Sequence, residues 1–179
     1  MAGAGARRER MKLYIVRHGE AGQAMALRGR ADDERELTRE GRKETAGVAK
    51  ALRALGCAPG RIGTSPLARA RQTAEILAEA LEAEKELENC EFLSPASDAE
   101  ALVRWLREVR AESAMIVGHM PDLARLASAL LAPKASLDIA FKKSGVCCVS
   151  FDGIPAAGAG RLEWLLQPKQ LRLLAKRGK

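Results

Sequence analysis

Short apolar runs alternate along the chain with longer stretches whose apolar residues recur every three or four positions. The first run, Lys12-Leu13-Tyr14-Ile15-Val16, predicts a strand that stops at Arg17-His18-Gly19. A polar loop continues to about Glu36. Thr38 then caps a predicted helix with Ala46, Ala49, Leu52 and Leu55 on one face, and Gly56 ends it. Arg61-Ile62-Gly63-Thr64 predicts a weak strand before Ser65-Pro66. A helix over about 67–83 follows, with Ala70, Thr73, Ile76, Leu77, Ala80 and Leu81 along one stripe, then a strand near 87–92. Ser97 and Glu100 form a capping box that opens a helix with Leu102, Trp105, Leu106 and Val109 inward. Ala114-Met115-Ile116-Val117 is the clearest buried strand, and it ends at Gly118-His119. Pro121 suits the first turn of the next helix, which buries Leu123, Leu126, Ala127, Leu130 and Leu131. Residues 146–151 and 161–166 flank a Gly/Pro/Ala loop and predict a hairpin. Beyond it, Leu171, Leu173 and Leu174 would dock an amphipathic terminal helix.

Strands alternating with helices describe βαβ units and a largely parallel sheet covered on both faces. The expected fold is α/β: a three-layer α/β/α sandwich with a mostly parallel central sheet and a C-terminal β-hairpin. Residues 11–179 form its single domain, and residues 1–10 are expected to be a disordered extension. In such sheets ligands bind beyond the carboxyl ends of the strands. Both histidines of the chain, His18 and His119, immediately follow a predicted strand. A third strand ends at Ser65, with Arg69 just inside the helix behind it. Either histidine alone would pass as structural; both at one sheet edge, beside Arg17 and Arg69, form a constellation.

Composition narrows the classes. The chain has 179 residues, 47% hydrophobic and 30% charged, which is ordinary for one globular domain. Aromatics are only 3%, which disfavours a base-stacking RNA module. The net charge of +7 sits in the ends: residues 1–12 carry +3, residues 161–179 carry +5, and the rest carries −1. Solvated tails explain that distribution, so no nucleic-acid partner is expected. No stretch reaches the roughly 20 apolar residues of a membrane helix, so no membrane partner is expected either. The start, MAGAGARRER, has charge without an apolar segment, so it is no secretory signal and a cytoplasmic location is expected. Cys57, Cys90, Cys147 and Cys148 form no C-x-x-C pair and are read as reduced, buried thiols.

Two imidazoles and two guanidinium groups at one edge suggest phosphorus chemistry. Zinc is the first rival, but neither histidine has a partner at H-x-x-x-H spacing and no cysteine lies near, so no metal is expected. Arginine forks suit phosphate oxygens, and a neutral imidazole is a competent nucleophile toward phosphorus. The sequence has no P-loop, no G-x-G-x-x-G and no G-x-S-x-G, so no nucleotide or other cofactor is expected.

These residues carry a resemblance. Arg17-His18-Gly19-Glu20 resembles the R-H-G signature of the histidine phosphatase superfamily, which includes the phosphoglycerate mutases. Ser65-Pro66-Leu67-Ala68-Arg69-Ala70-Arg71-Gln72-Thr73-Ala74 resembles its second block, and Gly118-His119-Met120-Pro121 its third. The short chain, the tail Gln167-Pro168-Lys169-Gln170-Leu171 and the Asp32–Thr38 stretch, read as D-x-x-R-x-L-T, look most like the small SixA-type phosphohistidine phosphatases. The resemblance implies that His18 becomes a covalent phosphohistidine while Arg17, Arg69 and His119 hold phosphoryl oxygens. It also implies that Arg35 lies at the phosphate. Asp32, Glu20 and Glu91 are the candidate general acids from position. A phosphoramidate needs less help in leaving than an alkoxide, so a weak or missing acid favours a phosphohistidine-bearing partner protein. A phosphatase of a small phosphorylated metabolite is the enzymatic alternative, and a non-catalytic phosphate-binding module is the alternative from another class.

Overall fold

The computed structural model describes residues 10–22, 32–96 and 99–177. Within them the chain runs β1 (Arg10–Arg17), α1 (Arg39–Ala54), β2 (Ile62–Thr64), α2 (Ala68–Leu81), β3 (Leu87–Asn89) and α3 (Ala99–Glu108). It continues through β4 (Ser113–Gly118), α4 (Asp122–Leu131), β5 (Val146–Asp152), β6 (Gly160–Leu166) and α5 (Pro168–Arg177). The strands form one six-stranded sheet in the order β3-β2-β4-β1-β5-β6. β1–β4, β4–β2 and β2–β3 pair parallel, while β5 runs antiparallel to both β1 and β6. The expected sandwich, mostly parallel with a C-terminal hairpin, is therefore the one observed.

Period-two alternation divides the core between two layers. Leu13, Ile15, Ala114, Ile116, Cys147 and Val149 face α3 and α4, meeting Leu102, Trp105, Leu106, Leu123 and Leu126. Tyr14, Val16, Met115, Val117 and Cys148 face Val48 and Leu52 of α1, Ala74 and Leu77 of α2, and Leu171 of α5. Cys147 and Cys148 thus enter opposite layers, as strand geometry requires. All four cysteines are free and buried. Burial pushes the thiols of Cys90, Cys147 and Cys148 up to about 12, so none is a thiolate at neutral pH.

The register brings the chemistry together. Arg17 of β1 pairs with Gly118 of β4, so His18 and His119 leave neighbouring strands at the same level. His18 N donates to Gly118 O at 3.1 Å, and Ser65 N, beyond β2, donates to Val117 O at 3.0 Å. Three chain segments therefore emerge side by side at one carboxyl edge.

Several local expectations need correction. The buried stripe of α1 runs through Gly41, Thr45, Val48 and Leu52, not Ala46 and Leu55; Leu55 is 45% exposed at the helix end. A glycine and a threonine carry that stripe, so a count of apolar residues rotates the helix wrongly. In α2, Ala74 and Ala78 are fully buried while Ile76, Ala80 and Leu81 are only half-buried. The third strand stops at Asn89, because Glu91–Leu93 forms a 3-10 turn that drops Leu93 into the core. Of the three leucines of α5, only Leu171 is buried; Leu173 and Leu174 are exposed. Trp105 is core, whereas Trp164 is half-buried and packs on Tyr14 at 6.1 Å between ring centroids. Strand β1 already includes Arg10, which pairs with Asp152. Residues 1–9 and the capping-box Ser97 lie outside the described residues. Among those described, no helix is long and apolar enough to cross a membrane.

Candidate active site

At the carboxyl edge a cavity of about 470 Å³ is lined by Arg17, His18, Arg35, Arg69 and His119, with Asp122, Arg125 and Lys143 at its sides. Larger grooves exist, including one of about 900 Å³ between α1 and α5, but neither histidine lines that one. The two imidazoles face each other with centroids 5.1 Å apart and planes at 51°. His18, His119 and Arg69 are buried, at 8%, 5% and 4% exposure. Arg69 is held by its place in the first turn of α2, and Arg17 by a hydrogen bond from Nη1 to Phe141 O at 2.6 Å. Arg17 Nε, Arg69 Nε and His119 Nδ1 are buried with no hydrogen-bond partner among the described residues. Orphaned donors are costly in a folded interior. All three belong to residues that line this one cavity.

His18 is fixed as one tautomer. Its Nδ1 lies 2.7 Å from Gly19 O, and a carbonyl only accepts, so Nδ1 carries the proton. The Nε2 lone pair of a neutral ring is then free. Burial, followed by the charges of His119, Arg69 and Arg17, pushes the His18 pKa down to about 3. Burial and the Arg69 charge push His119 down to about 4. Both rings are neutral at physiological pH. Ring resonances of His18 followed by NMR are expected to stay those of neutral imidazole down to about pH 4; a midpoint near 6.5 would overturn that. Below 6.5 the unfolded chain binds protons that these rings refuse, so folding stability falls as pH drops from about 6.5 toward 4.

A polar shell steadies the loop after β1. Gly19 N donates to Thr73 Oγ1 at 2.9 Å, and that hydroxyl donates in turn to Arg69 O at 2.7 Å. Thr73 thereby ties the two motifs to each other, one helical turn after Arg69. Thr45 Oγ1 and Ser144 Oγ share a buried hydrogen bond of 3.0 Å. A Cβ on Gly19 would lie 2.6 Å from Thr45 Oγ1, so only glycine fits at that position. His119 Nε2 is fixed by Ser65 Oγ at 2.8 Å. Asp122, buried at the start of α4, accepts from Ala96 N at 3.0 Å and from Arg125 Nη1 at 3.1 Å, pinning the cavity wall.

Of these, Thr73 and Ser65 stand inside the sequence motifs and could have been found by their spacing. Ser144 and Phe141 lie in an aperiodic loop without a sequence signal.

The acid candidates divide. Asp32 reaches the site: its Oδ2 accepts from Arg69 Nη2 at 3.1 Å, and its Oδ1 lies 2.6 Å from Arg35 Nε. The Arg35 guanidinium, helped by Arg69, holds the Asp32 carboxyl below the usual carboxylate range. Arg35 Nη1 also donates to Gly22 O at 3.2 Å, which keeps it at the cavity. Glu20 instead pairs with Lys143 at 2.6 Å and lines the groove between α1 and α5. Glu91 is exposed on its 3-10 turn and does not line the cavity.

Residues 13–93 match the histidine phosphatase superfamily (branch 1). An uncharacterised protein of Picosynechococcus sp. is 37% identical over 139 residues, covering 76% of this chain and 82% of that one. Phosphohistidine phosphatase SixA of Escherichia coli is 28% identical over 166 residues, 91% of this chain and 98% of its own. The solved structure of the protein histidine phosphatase SixA complexed with tungstate superposes with a TM-score of 0.78 at 27% identity, covering 90% and 99%. The chain belongs to the histidine phosphatase superfamily. Within that superfamily it is of SixA type, and it is a phosphatase. This phosphatase site has no group of three or more metal-binding side chains among the described residues. Its cationic charge comes from side chains that are permanently protonated.

Proposed function

We propose that the protein hydrolyses phosphohistidine displayed on another protein, through a covalent phosphoryl intermediate on His18. The observation that carries this reading is the His18 tautomer: Nδ1–H is committed to Gly19 O, leaving Nε2 as the nucleophile beside the buried Arg69. Nε2 forms the bond to phosphorus as the P–N bond to the substrate imidazole breaks. Arg17, Arg69 and His119, with Arg35 as a fourth contact, hold the nonbridging oxygens whose charge redistributes in the transition state. Phosphorylated His18 keeps Nδ1–H on Gly19 O, so its ring is cationic and leaves readily when water attacks. Both water protons depart with the phosphate, and His18 returns to the neutral tautomer.

The substrate class follows from the leaving group. Asp32 is held ionised by Arg35 and Arg69, which suits a departing group that needs no proton from the enzyme. An imidazole protonated on its other nitrogen leaves neutral; an alkoxide does not. The similarity to the phosphohistidine phosphatase of Escherichia coli supports the same class. The test is phosphate release from a phosphohistidine-bearing protein with EDTA present, against release from small phosphomonoesters. Faster release from the protein, undiminished by EDTA, is expected. Equal or faster turnover of the monoesters would move the assignment to a metabolite phosphatase, and inactivity on both to a binding module.

A further inference from the structure

Asp32 sits across the very guanidinium groups that a phosphoryl group would use. Arg69 Nη1 donates to the Asp32 carbonyl at 2.8 Å, and Nη2 donates to Asp32 Oδ2 at 3.1 Å. The second carboxylate oxygen, Oδ1, lies 2.6 Å from Arg35 Nε. Each oxygen therefore faces a different guanidinium, which is how two phosphoryl oxygens would bridge the same pair.

The partners are unequally anchored. The Arg69 side chain is 5% exposed, whereas that of Asp32 is 52% exposed. When an anion of higher charge arrives, the carboxylate can turn into water at little cost while the guanidinium stays. Without that carboxylate, Arg17, Arg35 and Arg69 would face one cavity with no anion bridging Arg35 to Arg69. Such a set would hold free phosphate, the reaction product, as firmly as it holds substrate.

We infer that Asp32 is the resident counter-anion of the phosphoryl clamp: it occupies Arg69 and Arg35 at rest, yields to the incoming phosphoryl group, and returns to expel phosphate. This rests on the phosphatase reading given above. No bond to Asp32 forms or breaks; one anion replaces another on the same donors. The carboxylate therefore sets how strongly the site discriminates a phosphorylated substrate from free phosphate, and how fast product leaves.

Inorganic phosphate is the probe, measured by calorimetry and as an inhibitor of turnover. Asp32→Asn is expected to bind phosphate about tenfold tighter than the wild type, the scale of one charged hydrogen-bonded pair. Its kcat should fall together with KM, because product release becomes slower. Asp32→Glu keeps the charge on a longer arm and should stay nearer the wild type. A merely structural aspartate would give the opposite sign, since disordered arginines bind phosphate more weakly. Unchanged or weaker phosphate binding in Asp32→Asn, or equal tightening in Asp32→Glu, would remove the inference. Wild-type protein that releases no phosphate from a phosphohistidine-bearing protein would remove the proposed function instead, whatever Asp32→Asn does to phosphate binding, which keeps the two failures distinct.

Discussion

Replacing His18 with alanine is expected to lower phosphate release by at least about three orders of magnitude, because no other group takes the nucleophile's place. His119 is the only other imidazole in the chain, and its Nε2 is engaged by Ser65 Oγ at 2.8 Å. The four thiols are buried in the two core layers, away from the cavity lining. Folding should survive, since the backbone of this turn is held independently by His18 N on Gly118 O and Gly19 N on Thr73 Oγ1. The measurement is single-turnover release from a phosphohistidine-bearing protein, paired with trapping of the label on the enzyme. Wild-type protein should carry an acid-labile, alkali-stable phosphoryl group, and the alanine variant none. Release at a rate near wild type without a trapped label would mean direct attack by water, with His18 serving only to bind.

The sequence made the site legible wherever chemistry sits at the end of a strand. Apolar runs ending at Arg17-His18 and at Gly118-His119 locate the sheet edge, and Arg69 follows the third run by one helical start. Parallel pairing then does the rest, because Arg17 and Gly118 share a register. What stayed hidden depends on contacts distant in sequence and unrelated to hydrophobic period. Phe141 supplies the carbonyl that anchors Arg17 across 124 residues, from a loop with no periodic pattern. Asp32 stands out in the sequence as a candidate acid at the head of its D-x-x-R-x-L-T stretch, but its pairing with Arg69 is visible only in the folded chain. The buried face of α1 is only partly apolar for a related reason. Its inward stripe begins at Gly41 and Thr45, residues chosen for close approach and a hydroxyl rather than for greasiness.

That close approach yields the second large effect. Gly41→Ala should lower turnover by about a hundredfold, the scale expected when reacting groups are misplaced by about 1 Å. On helix propensity alone the change would be favourable, by about 1 kcal/mol. Here the added Cβ would fall on the carbonyl oxygen of Glu20, with the Glu20 carbonyl carbon at 2.9 Å and its nitrogen at 3.0 Å. All three are backbone atoms, so no rotamer relieves the contact. The start of α1 cannot retreat easily, because Thr38 N donates to Glu20 O at 2.9 Å while Gly41 N donates to Thr38 Oγ1 at 2.9 Å. The strain therefore passes to Glu20 and so to the His18-Gly19 turn. Gly47→Ala on the same helix is the control, since its Cβ would meet only the flexible Arg172 side chain at 3.3 Å. Turnover and thermal unfolding of both variants decide the matter. Loss in Gly41→Ala with activity kept in Gly47→Ala is expected; full activity in both would show that docking of α1 on the turn does not position the nucleophile.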